Sequence, residues 1–206
     1  MFVIGLTGCA GSGKSYVAKC IEEAFDIPVI DSDTECRMLQ EPGTEVFSQI
    51  VRAFGKEYVT PDGALDRGKL AGLVFFDPAA LEKLNSLTHP ATILRIRELI
   101  GEYDAQGKRA VIVESALAEQ AGYRQFCDVL WLVYAPLEDR IERMREIRGY
   151  SEEKIASVIA SQMRQEDMMA ACERVIYNGN GVSRLEILHQ VRFFLGDLPG
   201  FFNCGD

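Results

Sequence analysis

Eight residues near the start of the chain, Gly8-Cys9-Ala10-Gly11-Ser12-Gly13-Lys14-Ser15, fit the spacing G-x-x-x-x-G-K-[ST] of a phosphate-binding loop. Each residue type answers a need of that chemistry. Gly8, Gly11 and Gly13 reach backbone angles closed to other residues and let the chain approach an anion closely. The loop amides and the N-terminus of a following helix then point at phosphate oxygens. Lys14 is spaced to reach the β- and γ-phosphates of a nucleotide, and the Ser15 hydroxyl to ligate Mg²⁺. The candidate ATP contacts are therefore Cys9, Ala10, Gly11, Ser12, Gly13, Lys14, Ser15 and Tyr16. The plain alternative is a glycine-rich turn ahead of a helix with an exposed lysine. Cys9 has two readings. Its thiol is activated by Lys14 and the helix N-terminus, or it is a small residue whose sulfur turns into the core.

The neighbouring elements favour the loop. Phe2 to Thr7 is a short apolar run that reads as a buried strand, and Val17, Ala18, Ile21, Ala24 and Phe25 recur at helical spacing. Ile27 to Ile30 reads as a second strand ending in Asp31-Ser32-Asp33. Carboxylates at the C-terminal end of a parallel strand face the ligand crevice of an open α/β sheet; the alternative is that one of them caps the next helix. Ala110 to Glu114 reads as a buried strand closed by an acid, where a metal-proximal carboxylate of a P-loop protein would sit. Asp128 to Val133 and Arg174 to Tyr177 follow, and Asn178-Gly179-Asn180-Gly181 is a tight turn before a last helix, Ser183 to Leu195. Five strands separated by helices predict an α/β, three-layer P-loop NTPase fold: a five-stranded parallel sheet, a helical substrate-binding insertion and a short helical lid.

Residues 41–90 interrupt the alternation. A helix is predicted from Thr44 to Phe54, a turn at Pro61-Asp62-Gly63, a helix from Asp77-Pro78 carrying Leu81, Leu84 and Asn85, and another from His89-Pro90. On spacing alone Arg67 reads as a surface charge and His89 as a satisfied core residue. Further on, Arg140, Arg143, Arg145 and Arg148 fall within nine residues on a predicted helix after Pro136. They form either a solvated face paired with Glu138, Glu142 and Glu146 or a lid that brings positive charge to the phosphates. Gly149 ends this helix, and the next is predicted from Ser151 to Met169. The tail from Leu198 reads as irregular, with Phe201 and Phe202 packing back. This gives one domain: a core of 1–40, 106–137 and 172–206, an insertion over 41–105 and a lid region over 138–171.

Composition narrows the partners. The chain has 206 residues, 48% of them hydrophobic, and a net charge of −9, which argues against a general nucleic-acid surface. Its six cysteines form no C-x-x-C pair and only two histidines could join them, so a zinc site is not expected and a reducing cytoplasm is. No basic n-region precedes the first strand, and the apolar runs are too short to span a bilayer. A cytoplasmic monomer or small homo-oligomer acting on a small molecule is expected.

The ordered motifs go further. Gly5-Leu6-Thr7-Gly8 leading into the loop, Asp31-Ser32-Asp33, Glu41-Pro42-Gly43, Asp62-Gly63-Ala64-Leu65-Asp66-Arg67, Val74-Phe75, Leu84-Asn85, His89-Pro90, Ser161-Gln162, Val175-Ile176 and Asn178 resemble the dephospho-CoA kinase family along nearly the whole chain. The resemblance implies transfer of the ATP γ-phosphate to the ribose 3′-hydroxyl of dephospho-CoA. It implies Asp33 as general base, Lys14 and Ser15 on ATP·Mg²⁺, Arg143 and Arg148 as lid arginines, and Asn178-Gly179 by the adenine. Asp31, Arg67, Phe75, Asn85 and His89 would line or support the acceptor site. Cys9-Ala10 stands where that family commonly has Gly-Ile, Tyr16 where Thr is usual, and Met168 where many members carry a basic residue. Without the resemblance the residues reach a small-molecule kinase. A GTP-binding switch would need an N-K-x-D motif after a strand, which the sequence lacks; another P-loop kinase, for a nucleotide or a sugar acid, is the remaining alternative.

Overall fold

The computed structural model describes residues 1–116 and 122–202. Its chain divides into two compact units, one of residues 1–30 and 100–206 and one of residues 31–99.

The first unit is built on a parallel sheet. Strands β1 (Phe2–Thr7), β2 (Val29–Asp31), β3 (Ala110–Glu114), β4 (Val129–Tyr134) and β5 (Arg174–Tyr177) lie in the order β2-β3-β1-β4-β5. The register sets Leu6 beside Glu114 and Trp131, so β1 runs between two neighbours that carry both faces of the core. Successive side chains point to opposite faces of a strand. On one face Ile4, Leu6, Ile112, Trp131, Val133 and Ile176 meet two helices, α1 (Lys14–Phe25) and α9 (Arg184–Gly196), through Val17, Ile21, Ile187, Val191 and Leu195. Phe201 is buried in this cluster and Phe202 packs against it, as expected of the tail; Asn203 to Asp206 lie outside the described residues. Ser183 and Glu186 form a reciprocal capping box that starts α9.

Three more helices belong to this unit: α6 (Leu137–Glu146), α7 (Glu152–Ala160) and α8 (Gln165–Ala171). The single helix expected over Ser151 to Met169 is thus two. Ser161 and Gln162 close the end of α7 by backbone bonds to Ser157 and Ile159, and Arg164 is extended before α8. The arginine helix also ends early. Gly149, at φ 64°, sits past its end, with Tyr150 N–H donating to Met144 O, so Arg148 lies beyond the helix rather than one turn after Arg145 on it.

The second unit holds α2 (Ser32–Met38), α3 (Glu45–Phe54), α4 (Arg67–Phe76) and most of α5 (Pro78–Ala105). Its core is Val46, Ile50, Leu65 and Leu70, with Leu84, Leu87 and Ala91 against it. The new helix expected at His89-Pro90 does not begin there; α5 runs through Pro90. Proline interrupts a helix by removing one amide donor. Here buried Ala80, Thr88, Thr92 and Ile96 form one stripe along α5, and Thr88 and Thr92 bond back to carbonyls four residues earlier, so packing holds the helix across the proline.

One residue of the glycine-rich loop belongs to the core. Cys9 is buried in a cluster with Leu132 and Met168, its Sγ donating to Met168 Sδ at 3.4 Å and to Met163 O at 3.8 Å. Burial pushes its thiol above the usual cysteine range, against a smaller opposing pull from Arg140. The activated thiol is therefore overturned in favour of the inward sulfur, because desolvation disfavours the thiolate more than neighbouring charge favours it. On brief iodoacetamide treatment Cys9 is expected to label at least about 10-fold more slowly than the partly exposed Cys36, with or without nucleotide. Mass spectrometry of the alkylated peptides checks this, and Cys9 labelling first would refute it.

Candidate functional site

The glycine-rich loop joins β1 to α1. Gly11 and Gly13 stand at φ 81° and 82°, left-handed values that other residues reach only under strain. Gly13 is also the N-cap of α1 and no side chain caps that end, so the first amides of the helix are open to an anion.

A loop that aims its amides one way aims its carbonyls the other, and buried carbonyls need donors. Every carbonyl from 9 to 13 has one. Ser12 N–H donates to Cys9 O at 3.0 Å and Val17 N–H to Gly13 O at 3.0 Å. Arg140 Nε donates to Ala10 O at 2.9 Å. Arg143 Nη1 donates to Gly11 O at 3.3 Å and Ser12 O at 3.4 Å, and Asn178 Nδ2 to Ser12 O at 2.7 Å. Three of the long-range donors come from two places, α6 and the residue that follows β5. Asn180 ties those two places together. Its N–H donates to Asp139 Oδ2 at 2.5 Å, its Nδ2 to Glu142 Oε2 at 2.5 Å, and its Oδ1 accepts from Arg143 Nη2 at 3.1 Å. Glu142, read above as a partner for the arginines, thus holds Asn180. Arg145 pairs instead with Glu152 at 2.6 Å on the surface, and the Arg148 guanidinium lies 6.0 Å from the Tyr150 ring centre.

Glu114 closes the other side. It lies on the same face of β3 as Ile112, the face that α1 covers, so its side chain reaches the start of that helix. Its Oε1 accepts from Lys14 Nζ at 2.8 Å and from Ser15 Oγ at 2.6 Å, and both members of the ion pair are largely buried. The acid that ends an otherwise apolar strand was the sequence signal for this contact. Arg140 and Gln162 carried no such signal beyond membership of a basic cluster and of a family motif. Two buried hydroxyls, Thr7 Oγ1 and Ser12 Oγ, have no partner among the described residues. The Tyr177 hydroxyl lies against Gly179, at the turn after β5, and its ring stacks on Tyr134 with centroids 6.0 Å apart.

The remaining sequence candidates belong to the other unit. Asp31 caps α2: its Oδ1 accepts from the amides of Asp33 at 3.0 Å and Thr34 at 3.3 Å, and its Oδ2 from Thr34 Oγ1 at 2.7 Å. Asp33 is exposed, and its carboxylate makes no hydrogen bond among the described residues. Arg67 is not a free surface charge. It donates to Gln40 Oε1 at 2.8 Å, Arg37 O at 3.0 Å and Glu41 Oε1 at 3.2 Å. Phe75 is 64% exposed and meets Phe76 edge to face at 4.9 Å. Asn85 and His89 are half-buried one turn apart on α5, and burial holds the His89 imidazole below its usual pKa.

Among the described residues, no group of three or more His, Cys, Asp or Glu side chains could hold a metal ion by itself, and no helix is long and apolar enough to cross a membrane. Comparison with known proteins leads to one family. A family model described as dephospho-CoA kinase matches residues 2–184. A dephospho-CoA kinase of Symbiobacterium thermophilum is 36% identical over 184 residues, 89% of this chain and 77% of its own. A crystal structure of a Thermus thermophilus protein is 32% identical and superimposes with a TM-score of 0.82 over 97% of this chain and 98% of that one. The dephospho-CoA kinase from Campylobacter jejuni, at 22% identity, shares the fold with a TM-score of 0.61 over 93% of this chain and 96% of its own. With a match that runs from the first strand into the last helix, this chain belongs to the dephospho-CoA kinase family.

Proposed function

We propose a division of labour for this ATP-dependent phosphotransferase of the final step of coenzyme A biosynthesis: residues 9–16 hold ATP, and Asp33 takes the proton of the 3′-hydroxyl of dephospho-CoA. The observation that carries the nucleotide half is the Glu114 oxygen that accepts from both Lys14 and Ser15 at the uncapped start of α1. Phosphoryl transfer asks little covalent chemistry of a protein, so positioning and charge do most of the work. The loop amides bind phosphate oxygens and Lys14 reaches the β- and γ-phosphates. Arg143, already against the carbonyls of Gly11 and Ser12, adds charge beside the loop, where it counts most as the transition state develops. Arg148 is a further nucleotide contact, and Asn178-Gly179 borders the adenine.

Mg²⁺ suits this donor set. It takes hard oxygen ligands and needs only one or two from the protein, and the Ser15 hydroxyl and Glu114 carboxylate are oxygens 2.6 Å apart. When bound, the ion would offset the charge of the phosphates. Ser15 would hold it, and Glu114, which accepts from both Ser15 and Lys14, would orient them toward it.

In the other unit the two acids divide by their bonding. Asp31 is spent on the helix cap and fixes the Asp33 backbone, which leaves the Asp33 carboxylate free to accept a proton. The insertion over 41–105 receives dephospho-CoA through Arg67, Phe75, Asn85 and His89, and 138–171 is the lid region.

A coupled ADP-release assay tests the acceptor. Dephospho-CoA is expected to give turnover well above nucleoside monophosphates, shikimate or no acceptor; preference for any of the others would overturn the reading. Asp33→Asn is expected to lower kcat by roughly 10²- to 10⁴-fold with ATP affinity little changed, and Asp31→Asn to cost less. Near-parental turnover of Asp33→Asn would remove it as the base. Glu114→Gln keeps an acceptor oxygen but loses the charge, so the Mg²⁺ concentration for half-maximal rate is expected to rise by about 10-fold or more. An unchanged Mg²⁺ titration would show Glu114 to be only a packing residue.

A further inference from the structure

Residue Ala10 is held on both of its backbone polar groups by side chains more than a hundred residues away. Its carbonyl accepts from Arg140 Nε at 2.9 Å, and its N–H donates to Gln162 Oε1 at 3.1 Å. The same Gln162 oxygen accepts from Arg140 Nη2 at 3.2 Å. Three hydrogen bonds therefore close a ring through the backbone of one residue, one guanidinium and one amide. Arg140 is only 4% exposed. A buried guanidinium is costly unless its donors are used, and a ring of this kind uses two of them in fixed directions.

Each member sits where it does for a structural reason. Arg140 is on α6, whose own backbone at that residue lies so close to Gly11 that a side chain at 11 would collide with it. Gln162 sits in the break between α7 and α8, where the chain leaves helical geometry, so the break is what lets an amide reach Ala10. No phosphate-binding role is needed to explain either residue. What they fix is the direction of the peptides before Gly11, the first of the two left-handed turns that aim the following amides.

We infer that Arg140 and Gln162 are positioning residues of the nucleotide site: they pin the two peptides that flank Ala10, and through them the α7–α8 break sets the affinity of the loop for ATP. Neither touches the reacting atoms. The inference rests on the loop being the ATP site, and it can fail while that reading stands. Because Gln162 acts only by its oxygen, an acceptor of similar size should replace it and an apolar isostere should not.

ATP binding to the full chain, measured by calorimetry without acceptor, tests this apart from any question of substrate. Gln162→Leu is expected to weaken ATP binding by about 10-fold or more, because it leaves a partly buried donor on Ala10 and a donor of the buried Arg140 unmet. Gln162→Glu, which keeps the shared oxygen, is expected to stay within about 3-fold of the parent. In turnover the loss appears in the KM for ATP, with kcat and the KM for dephospho-CoA changed by less than about 3-fold. Should Gln162→Leu fail to fold, Gln162→Asn, one methylene shorter, is expected to show a smaller weakening of the same kind, and parental binding by Asn would overturn the inference. Parental ATP affinity in Gln162→Leu, or equal losses in the Leu and Glu variants, would overturn it as well. If ATP does not bind the parent chain at all, the nucleotide site itself fails first.

Discussion

A peptide that points its N–H at an anion points its C=O away, and this one constraint organises much of the first unit. The loop between β1 and α1 has five carbonyls to satisfy, and the chain answers with two local amides and three distant side chains. The positions of α6 and of the turn after β5 follow from that need. Arg140, Arg143 and Asn178 sit behind the loop as donors to it, and Asn180 braces the two supports against each other. In a chain of net charge −9, the same two arginines place positive charge directly behind the glycine-rich loop. Structural and electrostatic roles coincide because the donor with the best reach to a carbonyl, a guanidinium, is also a fixed cation.

The strength of attachment changes along the 138–171 segment. At α6 the contacts are buried or charge-assisted and aimed at backbone. Past Gly149 α6 and α7 share an exposed Arg145–Glu152 pair, a type that contributes little in water, and the segment is attached again by the Gln162–Ala10 bond and the buried Met168. The 3-residue interval from the end of α6 to Gly149 is also where the chain leaves helical geometry by a left-handed glycine. Local openings in proteins begin where buried contacts are few, so within 138–171 the largely exposed stretch of residues 145–154 is the weakest held.

Much of this was legible beforehand, and the reason is locality. A short apolar strand, a glycine loop and an amphipathic helix are each specified within a dozen residues, and β1, β3 and β5 fall where the short, mostly apolar runs put them. The errors share the opposite cause. Pro90 reads locally as a helix start, yet the apolar stripe of α5 and two threonine back-bonds carry the helix through it. The stretch from Ser151 to Met169 reads as one helix, yet Gln162 is drawn out of it by a residue 152 positions away. The arginine cluster was visible as a cluster, but which arginine meets Ala10 and which meets Gly11 depends on where α6 crosses the loop, and no spacing within the helix contains that information.

Two departures from the pattern of the family turn out to be one. Cys9 and Met168 both depart from the pattern that the motifs resemble, and they lie 159 positions apart in the sequence. In the structure their sulfurs are 3.4 Å apart in a cluster with Leu132. A basic side chain at 168 would need solvent or an anion beside it. A thioether needs neither, and its flexible chain fills irregular space and accepts a weak bond from a thiol. With methionine there, the loop can carry a side chain at position 9 that turns inward, away from the face its neighbours offer to phosphate. The phosphate-binding chemistry loses nothing, because at position 9 it uses the backbone alone.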